Sequence, residues 1–248
     1  MIDGGVMVRA LLVFFLELVV LYAAGSYAMG GLLRICGFGG GESIPGRLAF
    51  YLMVFPGVVL HESAHYLACL LTGTKVFRFA PFSPGRSNDG RLMLGYVSHE
   101  RRTFPVGTII GLAPIVLNPL GILIISALLT PLTFQEVTNP SGGVVEGIFT
   151  SGFLTNTPLL AAIWVYLSLS FALGSVPSRE DLSSLPLMLL VFGGGVLLIG
   201  LFREGSENVL YSVIYDLSAL AIGLYSLPAT VAAVAALIIV IRGRTTRY

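Results

Sequence analysis

Charged side chains are scarce in this chain. Asp, Glu, Lys and Arg make up 11% of its 248 residues, whereas a soluble globular domain carries roughly a quarter. So few charges cannot clothe a water-exposed surface. Cysteine is scarcer still: Cys36 and Cys69 stand alone, in or beside apolar runs, which argues against a disulfide framework. Positive charge is not in excess either. The formal net charge is +1, so no basic field points to a nucleic-acid partner. Histidine occurs three times, and two of the three lie four residues apart, in the string HESAH at 61–65.

What is abundant is apolar sequence, 55% of the chain. It comes in runs of about twenty residues, enough to cross a ~30 Å hydrocarbon layer as a helix. Backbone groups in lipid must be satisfied within their own segment, so these runs imply helices. The fold class expected is an all-α polytopic membrane protein of about six transmembrane helices, with a small membrane-surface β-hairpin. The spans fall at about 6–29, 48–71, 104–129, 158–176, 185–202 and within 209–241. The first run is too long for a signal peptide and shows no small-residue cleavage site, so it reads as a helix. Pro114 and Pro119 are expected to bend or break the third span. Gly223 and Pro228 divide the last stretch.

The segment 73–103 differs in character. It holds Lys75, Arg78, Arg86, Arg91, Arg101 and Arg102. Two β-like pieces, KVFRF at 75–79 and LMLGYV at 92–97, flank the turn-rich SPGRSNDG at 83–90. The tail after Ile241 is basic as well, while the polar loop 131–152 carries Glu136 and Glu146 and no Lys or Arg. Basic loops stay cytoplasmic. An even span count places the N-terminus, the hairpin and the C-terminus together on that side. The whole of 1–248 reads as one integral membrane domain, with no internal repeat.

The chemistry lies in HESAH. Four residues advance a helix by slightly more than one turn, so His61 and His65 share a face one turn apart. Both imidazoles can then reach one tetrahedral Zn²⁺. Glu62, beside the first ligand, is placed to take a proton from an activated water. In a soluble protein such a five-residue string often means nothing. Three ionisable residues inside a membrane helix are costly, and that setting favours function over chance. A catalytic zinc usually has a third protein ligand. The residues leave several candidates: Asp181, Asp216, Glu17, Cys69 and His99. Each has an ordinary reading too. Ser178 to Asp181 matches a capping box that opens a helix. Glu17 and Asp216 suit isolated polar contacts or protonated acids. Cys69 suits a small buried apolar residue, and His99 a solvated surface position.

The stretch FPGVVLHESAHYLA at 55–68, closed by Leu71, Thr72 and Gly73, resembles the site-2 protease family of intramembrane zinc metalloproteases and its divergent prokaryotic members. The β segment that follows and GLAPIVLN at 111–118 are similar to later elements of that family, although the latter has one extra residue between Pro114 and Asn118. FALGSVPSRED at 171–181 looks like the element that carries the family's aspartate ligand. The family's Asn is missing from it, and Leu182 stands where a Gly is usual. The resemblance covers a core of about 48–186, with 1–47 and 187–248 as additional spans. It implies that His61, His65 and Asp181 hold Zn²⁺ as cofactor and that Glu62 is the catalytic base. The implied activity is hydrolysis of peptide bonds in a single-pass membrane protein substrate, within the lipid bilayer, in a prokaryotic cell membrane. The hairpin would accept an extended substrate strand or serve only as a surface element. The alternative expectation is a non-proteolytic membrane metal-binding or regulatory relative. A transporter reading is disfavoured, because the polar residues gather at one depth rather than along several spans.

Overall fold

The computed structural model describes residues 4–38, 44–86, 92–133, 147–148, 150–176, 178, 181, 225 and 227–241. The fold is mainly helical: α1 (Gly4–Ile35), α2 (Ile44–Leu71), α3 (Val106–Leu129), the single turn α4 (Phe153–Asn156), α5 (Pro158–Gly174) and α6 (Leu227–Ile241). Among the described residues, three helices are long and apolar enough to cross a membrane: Leu16–Ile35 within α1, α2 and α3. The expected fourth span is α5, a shorter apolar helix, and α6 is the second half of the expected sixth. The expected fifth span, the basic tail and Asp216 lie outside the described residues.

Helices α2, α3 and α5 pack on one another and form the centre of the protein. Lipid is as apolar as leucine, so small residues that let backbones approach hold such helices together. Gly57 is one. A Cβ there would run into the backbone carbonyl of Ser170, and its N–H donates to Ser170 Oγ at 2.8 Å. Tyr166 meets Leu52, Ser170 meets Gly57 and Gly174 meets His61, so α5 runs parallel to α2. It ends level with the HESAH motif.

The prolines do not break their helices. Pro56 lies inside α2, and Pro114 and Pro119 inside α3. A proline deprives the carbonyl four residues earlier of its helical donor, and an unpaired carbonyl in lipid costs several kcal/mol. Each such carbonyl here receives a side chain from another part of the chain. Tyr166 OH donates to Leu52 O at 2.7 Å. His65 Nδ1 meets Ile110 O at 2.8 Å. Tyr225 OH donates to Ile115 O at 2.9 Å.

Gly73, at φ +63, closes α2, with the Thr74 N–H bonded to Cys69 O at 2.8 Å. This is the left-handed helix end that glycine adopts without strain. Four strands follow: β1 (Val76–Ala80), β2 (Gly85–Arg86), β3 (Leu92–Met93) and β4 (Tyr96–His99). They form two antiparallel pairs, β1 with β4 and β2 with β3, with a register irregularity between Val76 and Arg78.

The hairpin expected at the membrane surface packs along α2 in the structure. Phe79 stacks on Tyr66 at 4.6 Å, Gly95 approaches Glu62, Phe82 meets Phe55 at 5.0 Å and Tyr51 at 6.3 Å, and Arg86 shares a cavity with Arg47. The hairpin therefore runs back along α2 from Tyr66 to Arg47, about 28 Å at the helical rise. Aromatic side chains on both elements drive this packing, which periodicity within the strands does not report. Lys75 and Arg102 stand near the Leu71 end of α2 and Arg86 near its Ile44 end. The charge count that places both termini on the cytoplasmic side thus draws on residues from both ends.

Candidate metal centre

His61 and His65 project from one face of α2, as their spacing requires. Their Nε2 atoms lie 3.2 Å apart. Asp181, in the connection beyond α5, brings Oδ1 to 3.2 Å from His65 Nε2 and Oδ2 to 3.6 Å from His61 Nε2. One donor atom from each of the three residues falls within 4.8 Å of the others. The edge of a tetrahedron around a cation bound at ~2.0–2.1 Å is about 3.3 Å, close to what the three donors show. The group is largely enclosed, with side-chain exposures of 13%, 12% and 9% for His61, His65 and Asp181.

The hydrogen bonds on the far side of each ring fix what the near side offers. His61 Nδ1 lies 2.7 Å from Gly174 O, and His65 Nδ1 lies 2.8 Å from Ile110 O. A backbone carbonyl only accepts, so both Nδ1 atoms carry hydrogen. In a neutral imidazole the Nε2 atom is then a bare lone pair. Two lone pairs and a carboxylate converge on one point. A single proton satisfies one of these contacts, whereas a cation satisfies all three. The donor chemistry fits a metal ion, and the residues that could hold one are His61, His65 and Asp181.

Both receiving carbonyls are open for a reason legible in the backbone. Ile110 O is released by Pro114. Gly174 O ends α5, where the last carbonyls lack intrahelical partners. Asn118, fully buried on α3, also donates to Gly174 O at 3.2 Å. It therefore braces the carbonyl that orients His61, the role that its sequence leaves undefined. Replacing Pro114 by alanine restores an N–H aimed at Ile110 O, in competition with His65 Nδ1. Loss of such an orienting contact is expected to weaken metal binding by roughly 10- to 100-fold, with helical content unchanged. Competition against a chromophoric chelator measures the first, and circular dichroism the second.

Asp181 also makes the reciprocal contacts of the capping box expected of it. Its Oδ2 accepts from Ser178 N at 2.7 Å, and its own N–H donates to Ser178 Oγ at 3.2 Å. This reciprocal pair is the capping-box pattern, and it holds the carboxylate toward the imidazoles.

Glu62 is partly buried and within electrostatic reach of all three residues. The hairpin covers it. A Cβ at Gly95 would lie 2.7 Å from Glu62 Cγ and 2.8 Å from Pro81 O, so only glycine lets the strand come so close. The remaining sequence candidates stand elsewhere. Cys69 is buried with Ala68 and Ile110 in a small apolar cluster. His99 Nδ1 bonds the neighbouring Glu100 O at 2.8 Å. Glu17 lies on α1, in the apolar window Leu16–Ile35. Gly174 escapes a reading by motif, and the motif that ends at Asn118 leaves its role open, because their contacts with the site span 56 residues or more of sequence.

Neither protein-family models, nor curated proteins, nor solved structures yield a match to this chain.

Proposed function

We propose that the chain is a zinc-dependent endopeptidase that cleaves membrane-embedded protein substrates. The observation that carries this reading is the convergence of two bare imidazole Nε2 atoms and one carboxylate, one residue away from a further carboxylate. Among the described residues the group has three members. Three protein donors leave a tetrahedral position open, as catalytic zinc sites do and structural sites do not. Two nitrogens and one oxygen suit zinc better than the all-oxygen sets of Ca²⁺ or Mg²⁺. Zinc, when bound, polarises a carbonyl and makes water a stronger acid.

The chain's own residues do the rest. Gly174 O, Ile110 O and the Ser178 N–H orient the three donors. Glu62 takes the proton of the attacking water and passes it to the leaving amine. The flanking helices exclude bulk water, and the hairpin beside Glu62 narrows access. The substrate in this reading is a single-pass protein of the surrounding bilayer in a prokaryotic cell membrane. It is unwound locally before cleavage, because helical hydrogen bonds occupy its carbonyls.

One observation favours a second reading, a non-proteolytic membrane protein that binds metal. The hairpin backbone at Gly95 lies close over Glu62, where a substrate carbonyl has to enter. Metal analysis and reconstitution separate the two. Purified protein is expected to hold stoichiometric zinc. Chelation should abolish cleavage of single-pass test substrates in liposomes, and added zinc should restore it. Stoichiometric zinc without cleavage of any substrate supports the second reading, and protein that binds no zinc removes both.

A further inference from the structure

We propose that the surface around the Leu71 end of α2 docks the headgroups of anionic phospholipids, independently of the metal centre and of the activity proposed above. The backbone gathers this surface from separate stretches of chain. Glu100 N–H donates to Lys75 O at 2.9 Å, and Arg102 Nη2 donates to Gly73 O at 3.1 Å. These contacts tie the segment leading into α3 to the closing turn of α2. Lys75, Arg78, Arg101 and Arg102 are all exposed. Among the described residues of 67–104 the acidic side chain is Glu100, and it pairs with Arg102 at 3.1 Å. Lys75 sets its Nζ 5.7 Å from the centre of the Phe77 ring.

Bared apolar side chains stand among these charges. Leu71 is 88% exposed, Phe77 58% and Phe104 46%. At the end of a membrane-length helix such side chains belong at the edge of hydrocarbon, with aromatic rings at headgroup level. The cationic heads belong in water or on phosphate, while their stems lie along apolar surface. The lipid interface supplies both surroundings within the length of one side chain. Arg78 precedes Phe79, which stacks on Tyr66, five residues before Leu71. Arg78 therefore starts about 8 Å along the helix axis from that end, a depth that its long side chain spans by snorkelling. Guanidinium forks match phosphate oxygens bidentately. Each Lys or Arg beside an anionic bilayer surface strengthens the attraction about fivefold. An acidic protein segment is the rival occupant. It answers the charge but leaves Leu71 and Phe104 uncovered, which favours lipid.

Native mass spectrometry of the full chain in detergent, with dioleoyl phosphatidylglycerol and dioleoyl phosphatidylcholine in equal amounts, tests this. The acyl chains are identical, so the ratio retained reports the headgroup. Wild type is expected to favour phosphatidylglycerol. The triple variant Lys75→Gln, Arg78→Gln, Arg101→Gln should lower the ratio at least about tenfold, and the charge-keeping triple Lys75→Arg, Arg78→Lys, Arg101→Lys should hold it within about twofold. Arg102 stays in place because it bonds Gly73 O. Circular dichroism checks the fold of each variant. Should the glutamine triple misfold, Arg101→Gln alone, in the segment between β4 and α3, is expected to lower the ratio several-fold. An unchanged ratio in the folded glutamine variants overturns the proposal. So does an equal loss in the charge-keeping triple, which makes the effect one of packing. Displacement of phosphatidylglycerol by a peptide of glutamates also overturns it and assigns the surface to an acidic protein segment.

Discussion

Glu62→Gln is expected to leave the zinc content of the purified protein unchanged while lowering cleavage by about 10²–10⁴-fold, the contribution of a positioned general base. The two side chains have nearly the same shape, so the covering strand at Gly95 meets the same volume in the variant. Glu62 is not among the three converging donors, which is why metal should stay. The amide cannot accept a proton, which is why turnover should fall in kcat with little change in KM. The pair of readouts decides between roles. Loss of zinc with loss of cleavage would make Glu62 a ligand or a packing residue. Cleavage within a few-fold of wild type would remove it as the base. In the non-proteolytic reading the variant is silent, since nothing turns over to be lost.

The parts of this site legible in the sequence are those that one helix places. His61, Glu62 and His65 follow from 3.6 residues per turn, and the closing Gly73 follows from the left-handed end it permits. Apolar run length anticipated the C-terminal ends of α2 and α3 at Leu71 and Leu129, and stopped short of Ile35, where α1 ends. Asp181 is different. Its residues alone match a capping box equally well, and only the family resemblance raised it above the other acids. The two readings are compatible in geometry, since the contacts with Ser178 leave Asp181 Oδ1 3.2 Å from His65 Nε2. Three features were out of reach. The path of the hairpin along α2 depends on aromatic contacts between segments. The roles of Asn118 and Gly174 depend on where α5 stops. The continuity of α3 through Pro114 and Pro119 depends on donors supplied by His65 and Tyr225.

In lipid, a proline inside a helix is tolerated when another group takes up the released carbonyl. At Pro56 and Pro119 the group is a tyrosine hydroxyl, and the result is a tie between helices. At Pro114 it is a histidine Nδ1, and the same tie sets the tautomer of His65. The bare Nε2 that a metal needs is thus a consequence of how α3 compensates its proline. The end of α5 does the same for His61, by stopping inside the bundle rather than continuing to the end of α2.

Asp181→Asn is expected to weaken zinc binding at least about 100-fold, beyond the range for a contact that merely orients a ligand. The substitution removes a charge and little else. An asparagine oxygen can still accept the Ser178 N–H, so the turn beyond α5 should keep its shape. A neutral amide is a poor zinc donor, and the two imidazoles alone lack the anion that balances the cation's charge. The comparison variant is Ser178→Ala. It removes the hydroxyl that receives the Asp181 N–H and keeps the carboxylate. A lost cap of this kind costs about 1 kcal/mol of stability, and zinc should remain bound. Were Asp181 a capping residue only, the two variants would behave alike, with small losses of stability and full metal content. Zinc titrations on both, with thermal unfolding as the second measurement, separate the outcomes. Full zinc affinity in Asp181→Asn would reduce the proposed centre to two histidines, too few to hold a catalytic ion.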